Sequence, residues 1–256
     1  MEVIPICLDA KELDTSHDLA GMLSSSAEIR DGDVLVVSQK AVSKQEGRTI
    51  NLSAVRPTPL AEGIASQYGK DPRIVELVLS ESARIVRMRD GIIITETRSG
   101  IICANAGVDE SNVPRGCATL LPSDPDASAR RLQSEILGTA LQHVSVIISD
   151  TFGRPFRMGQ TDCAIGVAGL CPITDYAGRH DSFGRHLRVT AIAVADEIAS
   201  AAELVMGKTG GCPAAIVRGL DPRHVGTGPD REDEMGDPRH ASSLPLLRPR
   251  YNDLFA

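Results

Sequence analysis

Residues 149–160 are rich in side chains that could carry out chemistry. Asp150 and Thr151 directly follow an apolar run, and Arg154 and Arg157 come next. A carboxylate beside a hydroxyl suits Mg²⁺ or Mn²⁺, and guanidinium groups suit the phosphates that such an ion bridges. The structural alternative is an aspartate that caps a helix, with arginines on a solvated face. Because these charges lie at the end of a strand, where open α/β sheets bind ligands, we favour the functional interpretation.

Two other segments offer oxygen ligands or anion contacts. Residues 105–112 contain Asp109 and Asn112, which could bind a divalent cation or hydrogen-bond to a ribose or a base edge. The same residues could simply form Asx turns. Residues 175–185 interleave charged, aromatic and glycine residues, and either an anionic substrate or a structural pair of turns would explain them. The residue types leave both choices open.

Residues 206–213 form a glycine-rich loop that does not meet the definition of a Walker A motif. Ala202 stands where that motif requires its first glycine, and a helix rather than a strand is predicted before the loop. Lys208, Thr209 and the glycines can still present backbone N–H groups to phosphate oxygens, although a glycine cap at a helix end would use the same residues. The histidines form no closely spaced ligand pair, and no G-x-S-x-G motif occurs. Carboxylate-bound hard cations and phosphate chemistry are therefore favoured.

Composition restricts the class of protein. The net charge of -7 argues against a nucleic-acid partner. With 3% aromatic residues and no Trp, the core must consist of Val, Ile, Leu and Ala, which predicts a mixed α/β protein. The sequence contains neither a signal peptide nor an apolar stretch of the roughly 18–20 residues that a membrane helix needs, so we expect a cytoplasmic protein without a membrane partner. The six cysteines, mostly in apolar runs, predict buried free thiols in preference to disulfides or a zinc site.

Hydrophobic periodicity predicts the elements that position these segments. Continuous apolar runs at 33–38 and 144–149 predict strands buried on both faces, and the second places Asp150 at its carboxyl end. Asp124-Pro125 predicts the start of a helix, and Asp90-Gly91 predicts a hairpin turn. Further strands are predicted at 2–7, 84–88, 91–96, 101–104, 163–168, 187–192 and 214–217, and helices at 18–23, within 59–81 with a break at 69–72, and at 195–206. The helix after Asp124 should bury a face made of Leu132, Ile136, Leu137, Ala140 and Leu141.

Taken together, these stretches resemble the coenzyme F420 γ-glutamyl ligase family. The matching stretches follow the family order over about residues 1–220: they are 31–37 with 43–48, 105–113, 150–159 with 164–166, and 194–199 through 206–207 to 217–220. The resemblance implies an α/β fold of two intertwined subdomains, with mixed sheets flanked by helices, that assembles as a homodimer. Residues 1–220 would form the ligase domain, whose subdomains the sequence does not separate. Residues 221–256 match no family motif and are predicted to be a mostly irregular tail.

The resemblance also implies a reaction and the residues that perform it. The family joins L-glutamate to the phospholactyl arm of a deazaflavin precursor with GTP, through an acyl phosphate, using Mn²⁺ or Mg²⁺ in two sites and K⁺. Asp109 and Asp150 would hold one metal, with Thr151 near a second, and Asp150, Arg154 and Arg157 would be catalytic. The nucleotide would contact Gln39, Lys40, Lys44 and Asn112, together with Met206, Gly207, Lys208, Thr209, Gly210, Gly211, Cys212 and Pro213. Some members carry an acidic residue where Lys208 stands, so we assign Lys208 to phosphate and leave the ligands of the second metal incomplete.

Two other functions would use the same residues. A metal-dependent phosphatase or phosphotransferase also needs Asp109, Asp150 and the arginines, but it consumes nucleotide without glutamate. A non-catalytic nucleotide sensor would bind GTP and show no turnover. Product analysis distinguishes these functions, because only a ligase forms a new amide when glutamate is supplied.

Overall fold

The computed structural model describes residues 1–8, 13–221 and 242–248. Within these ranges the chain is a mixed α/β protein, as predicted. The helices are α1 (Leu19–Ser26), α2 (Gln39–Gln45), α3 (Pro59–Tyr68), α4 (Pro72–Glu81), α5 (Pro125–Ala140) and α6 (Val194–Met206). The strands are β1 (Glu2–Ile6), β2 (Val34–Ser38), β3 (Thr49–Asn51), β4 (Ser82–Arg89), β5 (Ile92–Thr97), β6 (Ile102–Ala104), β7 (Cys117–Thr119), β8 (Ser145–Arg154), β9 (Arg157–Ala168), β10 (Thr174–Asp175), β11 (Ala191–Ile192) and β12 (Ala214–Arg218).

A five-stranded sheet of order β1-β12-β2-β8-β9 is covered by helices on both faces. Strands β2 and β8 are parallel, and the other neighbouring pairs are antiparallel. In β2, Leu35 and Val37 pack in the core with α1 and α5, whereas Val34 and Val36 pack in the core with α6. Burial of both faces explains the continuous apolar run from which this strand was predicted.

A separate core forms where α3 and α4 pack near the antiparallel sheet β4-β5-β6 and the strand pair β3-β7. Ile64 of α3, Val75 of α4 and Ile93 of β5 are buried together there. The turn between β4 and β5 is Asp90-Gly91, and both residues have positive φ, 51° and 79°. The predicted Asp-Gly hairpin is therefore confirmed, since the favoured two-residue turn requires this backbone conformation.

Three helices begin with the same local pattern, a capping side chain followed by proline. Thr58, Asp71 and Asp124 each accept a hydrogen bond from a backbone N–H in the first turn of α3, α4 and α5, and the next residue is proline in each case. Proline is well suited to this position because its fixed φ matches a helix and its missing N–H would have no partner there. The predicted starts of α4 and α5 are confirmed.

The predicted buried face of α5 is wrong at its C-terminal end. Leu132 and Ile136 are buried, but Leu137 is 38% exposed and Leu141 is 77% exposed. The helix ends at Ala140, and Leu141 takes the left-handed conformation of a C-cap, with φ 58°. The apolar face that contacts the sheet begins earlier, at Ala129.

Residues 149–160 form a β-hairpin rather than a loop beyond a strand. Strand β8 continues through Asp150 and Thr151 to Arg154, and β9 begins at Arg157. The predicted strand at 163–168 is only the distal half of β9, and β11 covers only the end of the strand predicted at 187–192. Elements α2, β3 and β7 were not predicted.

Cys7 and Cys212 form a disulfide, which corrects the prediction of free thiols for these two residues. Strand β1 pairs with β12 so that Ile6 lies opposite Ala214, and the cysteines lie just beyond this pair. Their proximity depends on the order of strands in the sheet, which the spacing of cysteines along a sequence does not reveal. Cys103, Cys117 and Cys163 are free thiols as predicted, but of these three only Cys103 is buried.

Residues 242–248 contact the first turn of α5. Asp126 accepts hydrogen bonds from the Ser242 hydroxyl and from the Ser243 backbone N–H, both at 2.8 Å. The described part of the predicted irregular tail contains one short 3-10 turn, Leu244–Leu246, and the remainder, 222–241 and 249–256, lies outside the described residues. In the part of the chain that the structure describes, no helix combines the length and apolarity needed to cross a membrane.

Candidate active site

A cavity of about 1760 Å³ lies at the carboxyl ends of the parallel strands β2 and β8. Ser38 of β2 lies opposite Ser149 of β8 at this edge, and both line the cavity. Helix α2 begins immediately after Ser38, while β8 continues past Ser149 into its hairpin. This is the position where the topology of an α/β sheet leaves a crevice for ligands.

Most of the side chains that were predicted from the sequence to form the site line this one cavity. They are Gln39, Lys40, Lys44, Asp109, Asn112, Asp150, Thr151 and Arg154, together with every residue of the loop 206–213. Arg157 is not among the lining residues and is exposed at the start of β9. Segments more than 160 residues apart in the sequence, such as α2 and the loop 206–213, therefore meet at the end of two neighbouring strands.

Lys40 links α2 to the segment that contains Asp109. Its Nζ atom donates hydrogen bonds to Asp109 Oδ2 at 2.7 Å and to the Ser111 hydroxyl at 2.6 Å. The Ser111 backbone N–H donates to Asp109 Oδ1 at 2.7 Å. Burial opposes ionisation of Asp109, but the hydrogen bonds from Lys40 and Ser111 outweigh it and lower the pKa of the carboxyl below its ordinary value. Asp109 is therefore a carboxylate at neutral pH.

Asp150 lies in β8 with no ion pair among the described residues. The pKa of its carboxyl is raised to about 6, mainly by burial and less by the negative charges of Asp162 and Asp109. The hydrogen bond with the Thr151 backbone N–H and the charge of Lys40 oppose this rise. The negative charge in this part of the cavity is therefore incompletely compensated. A bound cation would compensate it.

Asp162 joins Lys208 to the hairpin, and the sequence did not reveal this residue as part of the site. It is 3% exposed and lines the cavity. Its carboxylate accepts hydrogen bonds from the Ser149 hydroxyl at 3.0 Å, the Thr151 hydroxyl at 2.7 Å and Lys208 Nζ at 3.1 Å. The register of the hairpin places Thr151 opposite Asp162, so a prediction of this hairpin would have identified the residue.

The comparison with protein families decides what kind of site this is. A family described as F420-0:Gamma-glutamyl ligase matches residues 8–219. The chain belongs to this family. The matched region contains nearly all of the cavity lining, from Leu8 to Pro213.

Individual ligases support the assignment over nearly their whole length. The chain is 45% identical over 238 residues to the coenzyme F420:L-glutamate ligase of Methanothermobacter thermautotrophicus, which covers 93% of this chain and 90% of the relative. It is 47% identical to the enzyme of that name from Methanopyrus kandleri, with 87% and 88% covered, and 41% identical to that of Methanocaldococcus jannaschii, with 89% and 86% covered. The resemblance to F420 γ-glutamyl ligases is thus confirmed.

The two hairpin arginines of this F420 ligase family member lie differently with respect to the cavity. Arg154 lines the cavity, but its guanidinium donates to the Met158 carbonyl at 2.6 Å, within its own hairpin. Arg157 lies outside the cavity lining. The contacts of Arg154 stabilise the hairpin turn, and Arg157 lies opposite Arg154 across the hairpin.

The cavity thiol does not supply a nucleophile. Burial raises the pKa of Cys103 to about 12, with a contribution from the charge of Asp150. Because the thiolate is the nucleophilic form, the protonated Cys103 is unreactive at neutral pH. The cavity therefore offers carboxylates and lysines, and Cys103 does not add a thiolate.

Proposed function

We propose that this chain is a GTP-dependent ligase that joins L-glutamate to the phospholactyl arm of the deazaflavin precursor of coenzyme F420. Family membership and the full-length similarity to coenzyme F420:L-glutamate ligases carry the proposal. The cavity supports it, because about 1760 Å³ exceeds the volume of an ordinary small-ligand pocket and suits two large substrates and an amino acid.

The donor atoms of the cavity fit a divalent Mg²⁺ or Mn²⁺ ion at Asp150 and Asp109. Both residues offer hard carboxylate oxygens, and Asp150 has a charge without an ion-pair partner among the described residues. Across residues 1–8, 13–221 and 242–248, no group of three or more His, Cys, Asp or Glu side chains could hold a metal ion. This agrees with Mg²⁺, which typically binds one or two carboxylates together with waters and substrate phosphates. When bound, the cation would neutralise phosphate charge.

The residues of the chain itself would position the nucleotide. Lys40 and Lys44 lie on α2 and line the cavity, as does the loop 206–213, which precedes β12, the antiparallel neighbour of β2. Such a glycine-rich loop can offer backbone N–H groups to phosphate oxygens. We propose that these groups, with Gln39 and Asn112, hold the GTP phosphates and ribose. The role of positive groups is to disperse charge as a phosphoryl group moves.

An acyl phosphate explains why a nucleotide is needed. Amide formation from a carboxylate is unfavourable in water, so the γ-phosphate of GTP is first transferred to the precursor's carboxylate. The glutamate amine then attacks the carbonyl carbon, and inorganic phosphate leaves. GDP, phosphate and the amide are the products. The resemblance alone implies K⁺ as well, and the atoms of this reaction balance without it.

We also propose that the protein forms a homodimer. Phe156 and Met158 are 90% and 95% exposed at the turn of the β8-β9 hairpin. Large apolar side chains at a protruding turn favour burial against another surface. Light scattering after size-exclusion chromatography should give twice the mass of one chain, and a monomer at all concentrations would contradict the proposal.

One assay tests the proposed reaction. The protein is incubated with GTP, Mn²⁺, L-glutamate and the deazaflavin precursor, and mass spectrometry detects one or more glutamyl additions. GDP release must depend on glutamate. Release of phosphate without glutamate would favour a metal-dependent phosphatase, and GTP binding without any turnover would favour a sensor.

A further inference from the structure

The Lys208 ammonium lies at the position that the resemblance implies for a second cation, beside Thr151. Lys208 Nζ is 2.6 Å from Thr151 Oγ1, 3.1 Å from Asp162 Oδ1 and 3.3 Å from Glu203 Oε1. One hydroxyl and two carboxylates are oxygen ligands of the type that bind a metal ion. Here the side chain of the protein itself already supplies the positive charge.

These contacts leave little room for another cation. Asp162 is 3% exposed, and its two carboxylate oxygens already accept hydrogen bonds from Lys208, Thr151 and Ser149. An added ion at Thr151 would have to displace the ammonium from two carboxylates and then lie close to its positive charge. Both steps oppose binding.

Two of the lysines that line the cavity pair with its carboxylates. Lys40 neutralises Asp109, and Lys208 forms ion pairs with Asp162 and Glu203, while Asp150 has no ion-pair partner among the described residues. A single ion at Asp150 would compensate the charge of this aspartate. The geometry therefore points to room for one exogenous cation.

We propose that Lys208 is a tethered cation that replaces the second metal ion in this chain. The inference rests on the proposed function, since it concerns the cations of that same site. It places Lys208 as a positioning residue for Thr151 and Asp162 in place of the phosphate contact assigned from the sequence. The enzyme would then bind one divalent ion per chain and would not need a monovalent cation at this position.

The number of Mn²⁺ ions bound per chain tests the proposal without measuring turnover. Free Mn²⁺ is followed by electron paramagnetic resonance during titration of the full chain with one equivalent of GDP. Wild type should bind one ion, and Lys208→Gln should bind two, because the vacated carboxylates accept a second ion. Lys70→Gln is the matched control, since Lys70 lies outside the cavity lining, and it should behave as wild type.

The outcomes separate this inference from the proposed function. Two ions in wild type, or identical counts in wild type and Lys208→Gln, would overturn the tethered cation while leaving a cation-dependent ligase intact. No bound ion in any variant would overturn the proposed cation site and this inference with it. If Lys208→Gln fails to fold by circular dichroism, the wild-type count still decides, and Lys208→Arg, which keeps the charge, should bind one ion.

Dependence on a monovalent cation gives a second readout. Turnover of wild type should be the same in potassium chloride and in choline chloride, because the bulky choline ion cannot enter a small oxygen site. Lys208→Gln should lose about 100-fold in choline chloride, the scale of one lost preorganised electrostatic contact, and recover in part in potassium chloride. A wild-type enzyme that requires potassium would contradict the proposal.

Discussion

Three aspartates of the cavity illustrate how residue environment sets chemical role. Asp109 is hydrogen-bonded to Lys40 and ionised, and Asp162 is buried against Lys208. Asp150 has no ion-pair partner among the described residues, and burial beside the other two carboxylates raises its pKa to about 6. Burial and the neighbouring carboxylates disfavour the ionised form of Asp150, and a bound cation would stabilise it.

Removal of the Asp150 carboxylate should abolish most of the activity. We expect Asp150→Ala to lower kcat by about two orders of magnitude or more, the effect of losing one preorganised electrostatic contact. The measurement is steady-state turnover at saturating GTP, glutamate and Mn²⁺. Glu62→Ala, on the exposed side of α3, should retain wild-type turnover. Wild-type kcat in Asp150→Ala would show that this aspartate does not carry the cation.

The raised pKa of Asp150 also predicts a pH dependence of stability. The pKa of this carboxyl is about 6 in the folded protein and near its ordinary value of 3.8 in the unfolded chain, so the folded protein binds an extra proton between these pH values. Stability of the metal-free protein should therefore fall as pH rises from about 4 through about 6. Asp150→Asn removes this loss and should be more stable than wild type at pH 8 by at most about 3 kcal/mol, since one pKa unit is about 1.4 kcal/mol.

Urea unfolding of both proteins in chelator checks this prediction. The difference in the free energy of unfolding should be largest near pH 8 and should shrink toward pH 4, where wild type is protonated as well. A difference that is independent of pH would contradict the electrostatic explanation.

Single residues were predictable where their chemistry is visible locally. Polar residues that follow apolar strands indicate a site, and this pattern predicted Asp109, Asp150 and Thr151. All three line the cavity. Asp162 was missed because the glycine-rich sequence around it hides strand β9, and only cross-strand pairing places it beside Thr151. The contact of Lys208 with Asp162 depends on the same long-range pairing.

At the scale of elements, α5 and β9 approach closely enough to require glycine. A Cβ atom added at Gly166 of β9 would lie 2.3 Å from the Pro125 carbonyl oxygen in the first turn of α5. Gly166→Ala must therefore displace the helix start and should lower the free energy of unfolding by about 1–3 kcal/mol or more. Thermal and urea unfolding provide the measurement.

Gly138 is the matched control because it lies in α5 with nothing within 4 Å of an added Cβ. Gly138→Ala should stabilise the protein by about 0.5–1 kcal/mol, since alanine has the higher helix propensity. The substitution at the contact of β9 with α5 and the substitution on the exposed side of α5 are thus expected to change the free energy of unfolding with opposite signs. Equal effects would show that the close approach of Gly166 to Pro125 is relaxed in solution.

Elements were predictable where a local signal decides them. The capped starts of α4 and α5 and the Asp-Gly turn depend on neighbouring residues, and β2 and β8 depend on continuous apolar runs. Helix α2 has seven residues and buries the polar Gln39 and Lys44, so it shows no apolar periodicity. The three-residue strands β3 and β7 pair with each other although they lie far apart in the sequence. A local pattern does not reveal such a pair.

At the scale of the whole molecule, the disulfide joins the N-terminal strand to the cavity loop across 205 residues. Loss of this disulfide increases the conformational entropy of the unfolded chain. The double variant Cys7→Ser with Cys212→Ser should therefore have a free energy of unfolding lower by about 2–5 kcal/mol under oxidising conditions. Cys117→Ser, a free thiol in β7, is the control and should change it much less. Addition of a dithiol reductant should lower the free energy of unfolding of wild type toward that of the double variant. If the reductant leaves this free energy unchanged, the disulfide does not form.

The segment 242–248 lies beyond the family match and packs against the folded core. Ser242 and Ser243 are each 6% exposed and donate hydrogen bonds to Asp126. Leu247 and Leu246 pack against the cores on the two faces of the five-stranded sheet. A protein shortened at residue 219, where the family match ends, would retain the residues that line the cavity but would expose apolar surface on both faces of the five-stranded sheet. A shortened version of this protein should therefore keep residues 242–248.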